Sequence, residues 1–364
     1  MFRKKPKVRE PFIIPSSLAE LGLRVTPNDE LRRIKNPELP YEYFQRNDFG
    51  YNEAHKVAVM KCVYDIVDER LQKLGMERLR IPLGTKEDEP HTEILVSSDL
   101  RTNAKRVVVF MPDGSRLGVW GDRVLTTWTL HAGSMEDSVR RAQEARYSVV
   151  ICNAGELFYV PSQKRAMRLF ETRSFGSRTE TIPGNATPQE HFRYVMEEVI
   201  KPAPAAKVVV LAHLFGTECA VSYFDANWND WADHLTALGL AKTQHTAADT
   251  NNKAFRWFMA NRAVNYEQAL DDQDSSTEKV SNYAAGKAGF GCVTFSAECR
   301  FMDEVVAAAL PFYFEFFEKM EKEGALTSYE AGESEEEEDE ISGEVDVEVE
   351  EVAVDSGLGG SGWE

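Results

Sequence analysis

Residues 207–217 read Lys-Val-Val-Val-Leu-Ala-His-Leu-Phe-Gly-Thr. A continuous β-branched and aliphatic run of this kind suits a strand covered on both faces, because a strand with one wet side would alternate apolar and polar residues. The run breaks at Ala212 and resumes beyond Gly216 with a helix-like stretch to residue 224. The segment therefore predicts a buried strand that turns sharply into a helix. Two further runs, 106–111 (Arg-Val-Val-Val-Phe-Met) and 147–153 (Tyr-Ser-Val-Val-Ile-Cys-Asn), have the same character. Buried strands alternating with helical segments argue for an α/β fold with a doubly wound, mostly parallel sheet covered on both faces.

The intervening patterns agree. Val59, Val63, Ile66, Val67, Leu71 and Leu74 recur at helical spacing, and Gly75 stands where a helix C′ glycine belongs. Weaker strands are predicted at 79–82, 93–97, 235–240 and 291–296, with helices at 135–146, 187–201, 253–262 and 303–322, the last interrupted by Pro311. Thr187-Pro188-Gln189-Glu190 is a capping box with proline at the first helical position. The stretch 156–184 shows little apolar periodicity and reads as a surface insertion. No apolar run approaches the ~18 residues needed to span a bilayer, and the N-terminus lacks a signal-peptide core.

Charge divides the chain into three parts. The formal net charge is −18, yet residues 330–364 alone carry fifteen acidic groups and no Lys or Arg, which leaves the rest at −3. A body so close to neutral lacks the overall basic field of a nucleic-acid-wrapping protein, so direct nucleic-acid binding is not expected of it. The acidic segment cannot bury enough apolar surface to offset ordering entropy and is expected to be disordered. Arg3, Lys4, Lys5, Lys7 and Arg9 form a basic cluster that reads as a nuclear-import signal, a nucleic-acid-contacting arm or a solvated terminus. The expected division is a largely irregular arm at 1–27, a folded domain at 28–325 and an acidic tail at 326–364. Cys62, Cys152, Cys219, Cys292 and Cys299 are dispersed without C-x-x-C spacing and read as reduced, mostly buried thiols.

In a doubly wound sheet the ligand crevice lies beyond the carboxyl ends of the strands. Candidates there are Asp113, Gly114 and Trp120 after one strand, Asn153 after another, His213 and Gly216 at the sharp turn, and His245 further on. The strand–turn–helix at 207–217 is the unit that serine hydrolases write G-x-S-x-G, with the nucleophile on the turn and the partners following as acid and then histidine. Leu214 occupies the nucleophile's place, Lys242 the acid's and Phe301 or Met302 the histidine's. None of these side chains can perform the role, so the triad reads as degenerate. Thr217, Cys219 and Ser222 are the remaining hydroxyl and thiol groups nearby, but they fall in the following helix. His213 and His245 read either as crevice residues or as hydrogen-bonded histidines that fix loop conformation. The seven histidines lack metal-ligand spacing, and neither a Walker nor a dinucleotide loop is present, so no metal or cofactor is expected. Trp228, Trp231 and Trp257 read as core aromatics or as a partner-binding groove, and Glu335, Glu336, Glu337 and Glu338 as a contact surface for basic proteins.

Ordered features from about residue 28 to 319 resemble the Arb-two (Argonaute-binding-protein-two) domain family. They are Tyr43-Phe44, Leu79-Arg80-Ile81-Pro82, 107–110 with Gly118-Val119-Trp120, Ala132-Gly133-Ser134-Met135, 147–153, 187–191, 208–213 with Gly216, and Arg256-Trp257. The resemblance implies an α/β-hydrolase-like fold, found in a fungal Argonaute-binding subunit, in the tail of some class II histone deacetylases and in an animal cotranscriptional regulator. Many members of that family keep the serine, acid and histidine that this chain lacks. The resemblance also implies a nuclear role in RNA-guided silencing, chromatin regulation or RNA processing, with Argonaute, chromatin or RNA-processing factors as protein partners.

The combined expectation is a pseudo-hydrolase that acts as a nuclear scaffold or adaptor, without cofactor or membrane contact. Two alternatives remain open at this stage: an esterase with an unusual nucleophile, and a nucleic-acid binder acting through the basic arm. If Leu214 is packed apolar filling, Leu214→Ser is expected to cost about 1–3 kcal/mol.

Overall fold

Runs of β-branched residues and well-marked caps decide where the elements fall. The computed structural model describes residues 12–172, 178–268 and 289–324. A short antiparallel pair, β1 (Leu23–Val25) and β2 (Leu31–Arg33), precedes the long helix α1 (Phe49–Lys73). Asp48 caps α1 by accepting from the Tyr51 amide at 3.1 Å. At the other end Gly75 takes the left-handed conformation (φ 77°) that ends a helix without Cβ strain. β3 (Met76–Ile81), β4 (Thr92–Ser97) and β5 (Arg106–Met111) follow, then the short helices α2 (Asp122–Thr127), α3 (Leu130–Gly133) and α4 (Glu136–Glu144).

After β6 (Ser148–Ile151) come β7 (Phe158–Val160), β8 (Arg165–Met167), the single-turn helix α5 (Leu169–Thr172) and β9 (Glu180–Thr181). The stretch expected to be a plain surface insertion is thus a small antiparallel sheet of its own, ordered β8-β7-β9, with Tyr159 and Ile182 buried beneath it. Its strands of two or three residues are too short for a period-2 pattern to register in sequence. α6 (Pro188–Tyr194) starts where the capping box predicts, and the Thr187 hydroxyl accepts from the Glu190 amide at 3.2 Å. The Glu190 carboxylate reaches the Ala186 amide instead of that of Thr187, and the helix ends in a π-helical turn, Val195–Ile200.

β10 (Lys207–His213), α7 (Phe215–Ala226), α8 (Trp228–Trp231), β11 (Leu235–Ala241), α9 (Lys253–Arg262), β12 (Ala263–Glu267), β13 (Val293–Ser296) and α10 (Val305–Glu323) complete the described chain. Eight strands form one sheet in the order β13-β12-β11-β10-β5-β6-β4-β3. All neighbours are parallel except β3–β4 and β4–β6. The α/β, doubly wound, hydrolase-like architecture expected from the sequence is the architecture present. β12 was not foreseen, and its insertion changes which loops meet.

Both faces of the sheet are covered, which is why its central strands read as unbroken apolar runs. Val108, Phe110, Val209 and Leu211 face one core with residues of α1, α4 and α10. Val107, Val109, Val208 and Val210 face the other with residues of α6, α7 and α9. Each fully buried aliphatic side chain here contributes about 1.5–3 kcal/mol. Leu23 and Leu31 belong to the first core, so the fold already includes chain from before residue 28. The basic cluster at 3–9 and the acidic tail, including Glu335, Glu336, Glu337 and Glu338, lie outside the described residues. Among the described residues no helix is long and apolar enough to cross a membrane.

Candidate functional site: a cavity over the turn at Leu214

The chain leaves β5 toward β6 on one side and β10 toward β11 on the other, so the boundary between β5 and β10 is the switch point of the sheet. Ligands of open α/β sheets bind at that position. A cavity of about 610 Å³ opens there. The loop after β5 supplies Asp113, Gly114 and Trp120 to its wall, the turn after β10 supplies His213 and Leu214, and the segment after β13 supplies Arg300, Phe301 and Met302.

Leu214 has the backbone of a nucleophile elbow, with φ 49° and ψ −123° between strand and helix. Its amide donates to the Ala241 carbonyl at 2.9 Å, and its carbonyl accepts from the Thr217 hydroxyl at 2.6 Å. Gly216 lets the turn approach β5 closely: a Cβ there would stand 2.4 Å from the Met111 carbonyl oxygen. The side chain of Leu214 is half-buried and borders the cavity, so it is not packed filling. A serine hydroxyl at this place would meet solvent, and the penalty of about 1–3 kcal/mol expected for Leu214→Ser does not apply.

The strain leaves its own signature. A non-glycine residue in this region of φ/ψ costs about 1–3 kcal/mol. Leu214→Gly is therefore expected to be at least as stable as Leu214→Ala, reversing the usual preference for alanine of about 0.5–1 kcal/mol. Urea midpoints of the two variants check this, and an alanine variant clearly the more stable would contradict it.

Phe301 and Met302 follow the last strand, and among the residues lining the cavity His213 is the one histidine. Its Nε2 lies 3.2 Å from the Met302 carbonyl. A carbonyl only accepts, so Nε2 carries the proton and donates. Trp120 packs edge-on against the ring at 6.1 Å, and its own Nε1 donates to the Ser138 hydroxyl at 2.9 Å. Burial lowers the His213 pKa, a trend that the Met302 carbonyl, Asp113 and Asp303 oppose. The result is a neutral imidazole held by its neighbours, with no nucleophile attached.

The acid's place holds a residue that the sequence reading missed. β12 ends in Glu267, which is 5 % exposed. With β12 counted, Glu267 and not Lys242 stands where a hydrolase carries its carboxylate. Lys242 instead neutralises it, Nζ to Oε2 at 2.7 Å, and Asn265 Nδ2 donates to Oε1 at 3.0 Å. Both carboxylate oxygens are engaged, and no histidine is among the partners.

Several candidates separate from the cavity. Asn153 faces a second, smaller pocket, where its side chain donates to the Glu93 carbonyl at 2.9 Å and to Glu156 Oε2 at 3.2 Å. His245 is fully buried; its Nε2 donates to the Phe290 carbonyl at 2.9 Å and its Nδ1 accepts from the Thr243 hydroxyl. It fixes loop conformation and does not line the crevice. Ser222 donates to the Glu218 carbonyl at 2.7 Å, and burial raises the Cys219 thiol to about 12. The Ser222 hydroxyl is thus engaged on its own helix, and Cys219 is held as the neutral thiol. Trp228 packs between Phe255 and Phe258, with ring centroids 5.2 and 4.9 Å away, while Trp231 donates to the Tyr223 hydroxyl at 2.9 Å. Both are core residues and leave no groove, because a helix pair with this many rings buries them against one another; Trp257 is half-buried on α9. Among the described residues no cluster of His, Cys, Asp or Glu could hold a metal ion.

Strand order, elbow and cavity together define an α/β-hydrolase-like domain with Leu214 on the turn after β10. The family model described as the Arb2 domain matches residues 14–272, and the chain belongs to that family. Similar proteins include the cotranscriptional regulator ARB2A of Mus musculus, 24 % identical over 315 residues, and that of Homo sapiens, 23 % identical over 313 residues, each alignment covering 75 % of both chains. A homologue in Dictyostelium discoideum is 20 % identical and covers 72 % of this chain and 70 % of its own. Among solved structures, a histone deacetylase from Saccharomyces cerevisiae aligns with 71 % of this chain and 98 % of its own at TM-score 0.44 and 10 % identity. The esterase LipW from Mycobacterium marinum aligns with 76 % and 92 % at TM-score 0.37 and 11 % identity.

Proposed function

We propose that this protein is a non-catalytic hydrolase-fold adaptor that receives a protein partner in the cavity over Leu214. The observation that carries the reading is the elbow itself: its strained backbone is retained while the side chain on it cannot attack a carbonyl. The acid position supports the same reading, since Glu267 is committed to Lys242 and Asn265. An intact cavity without a working triad is suited to binding a group and not to turning it over. Similarity to cotranscriptional regulators favours a nuclear setting, with Argonaute, chromatin or RNA-processing factors as the class of partner. The tail from 326 to 364 would add salt-sensitive contacts to basic proteins. The basic cluster at 3–9 would be a minor, electrostatic contributor.

The test compares affinity purification from nuclei with the full-length chain, a chain lacking residues 330–364, and Gly114→Trp. Gly114 borders the cavity and a Cβ there meets nothing within 4 Å, so a side chain can start from this position without a backbone clash and tryptophan is chosen to fill the mouth. The full-length chain is expected to recover a stable partner that Gly114→Trp loses by about tenfold or more, and a fluorophosphonate probe should leave all three unlabelled. Covalent labelling would restore the enzymatic alternative. Equal recovery by Gly114→Trp would remove the cavity from the interface, and recovery of no partner by any of the three would end the adaptor reading.

A further inference from the structure

The smaller pocket lies at the other side of the sheet, where β3 and β4 meet the β7–β8 hairpin. It measures about 260 Å³ and is lined by five cations, Arg78, Arg80, Arg116, Lys164 and Arg165, against three carboxylates, Glu87, Glu93 and Glu156. The ion pairs leave a clear remainder. Arg78 is bound to Glu93 at 2.8 Å and to Asp68 at 2.9 Å, and Asp68 also faces Arg116 at 3.5 Å. Glu156 Oε2 accepts from the Leu117 amide at 3.3 Å and from Asn153 Nδ2 at 3.2 Å. Among the described residues no carboxylate pairs with Arg80, Lys164 or Arg165; Glu87 and Glu156 form no ion pair there either, so five cations against three carboxylates leave the lining a formal charge of +2.

These three cations are held in place by ordered backbone. Arg80 lies on β3; its Nη1 reaches the Thr85 carbonyl at 3.4 Å, and its Nε is buried without an acceptor. Lys164 closes a 3₁₀ turn in the left-handed conformation (φ 49°), its amide donating to the Pro161 carbonyl at 3.2 Å. Arg165 is in register with Val160 across the hairpin. Both hairpin cations are exposed at the rim, whereas Arg80 is half-buried.

Three unpaired donors around one small concavity match a group with three strong acceptor oxygens and about two negative charges, which is a phosphate monoester. A nucleic-acid strand fits less well. It would draw successive phosphates past Glu87 and Glu93, and none of the lining residues is a Phe, Tyr or Trp on which a base could stack. A single glutamate offers only one charge and two oxygens. We infer that this pocket binds a phosphate monoester carried on a peptide side chain. The inference does not depend on the role of the Leu214 cavity.

Calorimetric titration of the full-length protein tests it, using inorganic phosphate, Gly-Gly-phosphoserine-Gly-Gly, the same peptide with serine or glutamate at the centre, and a 5′-phosphorylated oligouridylate. The phosphopeptide is expected to bind more tightly than inorganic phosphate and at least about tenfold more tightly than the glutamate peptide, with the serine peptide silent. Lys164→Gln combined with Arg165→Gln should weaken the phosphopeptide by about tenfold per cation removed. Both residues are exposed, so unfolding is not the expected cause, and an unchanged thermal midpoint confirms it. Arg80→Gln alone should weaken binding by about tenfold. Binding of the serine peptide as tight as that of the phosphopeptide, or indifference to the double substitution, would overturn the inference. Binding of inorganic phosphate without the phosphopeptide, or tighter binding of the oligouridylate, would overturn the assignment to a peptide.

Discussion

Gly216→Ala is expected to destabilise the protein by about 3–5 kcal/mol or to prevent its accumulation in folded form. A Cβ at this position would lie 2.4 Å from the Met111 carbonyl oxygen and 2.9 Å from that of Pro112, both fixed backbone atoms at the end of β5. A flexible side chain could swing away, but these oxygens cannot. β5 and β10 are hydrogen-bonded neighbours from Lys207↔Arg106 to Ala212↔Met111, so relief requires either the start of α7 or the end of the sheet to move. Gly114→Ala is the matched control: it lies in the loop after β5 and its Cβ meets nothing within 4 Å. Its effect should stay within about 0.5 kcal/mol. Paired urea titrations decide the matter, and two similar midpoints would mean that the elbow does not need its close approach to β5.

The same comparison separates what the sequence could disclose from what it could not. β10, β5 and α9 appear with the bounds expected from 207–213, 106–111 and 253–262, because continuous β-branched runs and a clean cap are local signals. The Asn252 side chain, for example, caps α9 by accepting from the Ala254 and Phe255 amides. β12 was invisible because Ala-Val-Asn-Tyr-Glu spends two of five positions on polar residues that a buried strand ordinarily avoids. They are tolerated because the Asn265 amide group donates to Glu267 and Lys242 neutralises the carboxylate, although Asn265 Oδ1 stays buried without a partner, and only three-dimensional proximity makes that pairing possible.

Missing that strand had a chemical consequence. With one strand uncounted, Lys242 seemed to occupy the acid's position, when it is the counter-ion of the residue that does. The cavity itself was legible in part: Asp113, Gly114, Trp120, His213 and Leu214 do meet there. Arg300 comes in beside Phe301, which the sequence already places at the crevice, whereas Arg123, which stands over the Phe301 ring at 3.1 Å, joins from a distant segment with no signal in sequence. Asn153 and His245 follow strands just as His213 does, and sequence alone could not say that one faces another pocket and the other lies buried.

Acid should unfold this protein well above the pH at which ordinary carboxylates titrate. His191, His213 and His245 are buried, and burial lowers the pKa of each from the ordinary 6.5, to about 3 for His191. His191 is fixed in its neutral form from both sides. Its Nε2 accepts from the Asn153 amide at 2.8 Å, so the proton sits on Nδ1 and is donated to Asn185 Oδ1 at 2.8 Å. In the unfolded chain all three imidazoles take up a proton as the pH falls through 6.5, whereas in the folded state His191 stays neutral through that window and His213 and His245 are protonated only at lower pH than when free. The unfolded state therefore binds more protons in that window, and stability, complete above about 6.5, declines as the pH drops. Each histidine held neutral contributes a slope of about 1.4 kcal/mol per pH unit. Asp29, whose carboxyl is held low against burial by Arg70 and His131, adds its loss only below the ordinary 3.8, where the unfolded carboxylate takes up a proton first, and the raised Glu218 opposes the trend slightly. Urea unfolding between pH 7 and pH 4.5 should therefore show a decline of at least about 1 kcal/mol per unit over its lower half. Imidazole nitrogen NMR at pH 5 should still find His191 neutral. A flat stability profile, or a protonated His191 in the folded protein at that pH, would show that these rings are not sealed beneath the sheet's carboxyl edge.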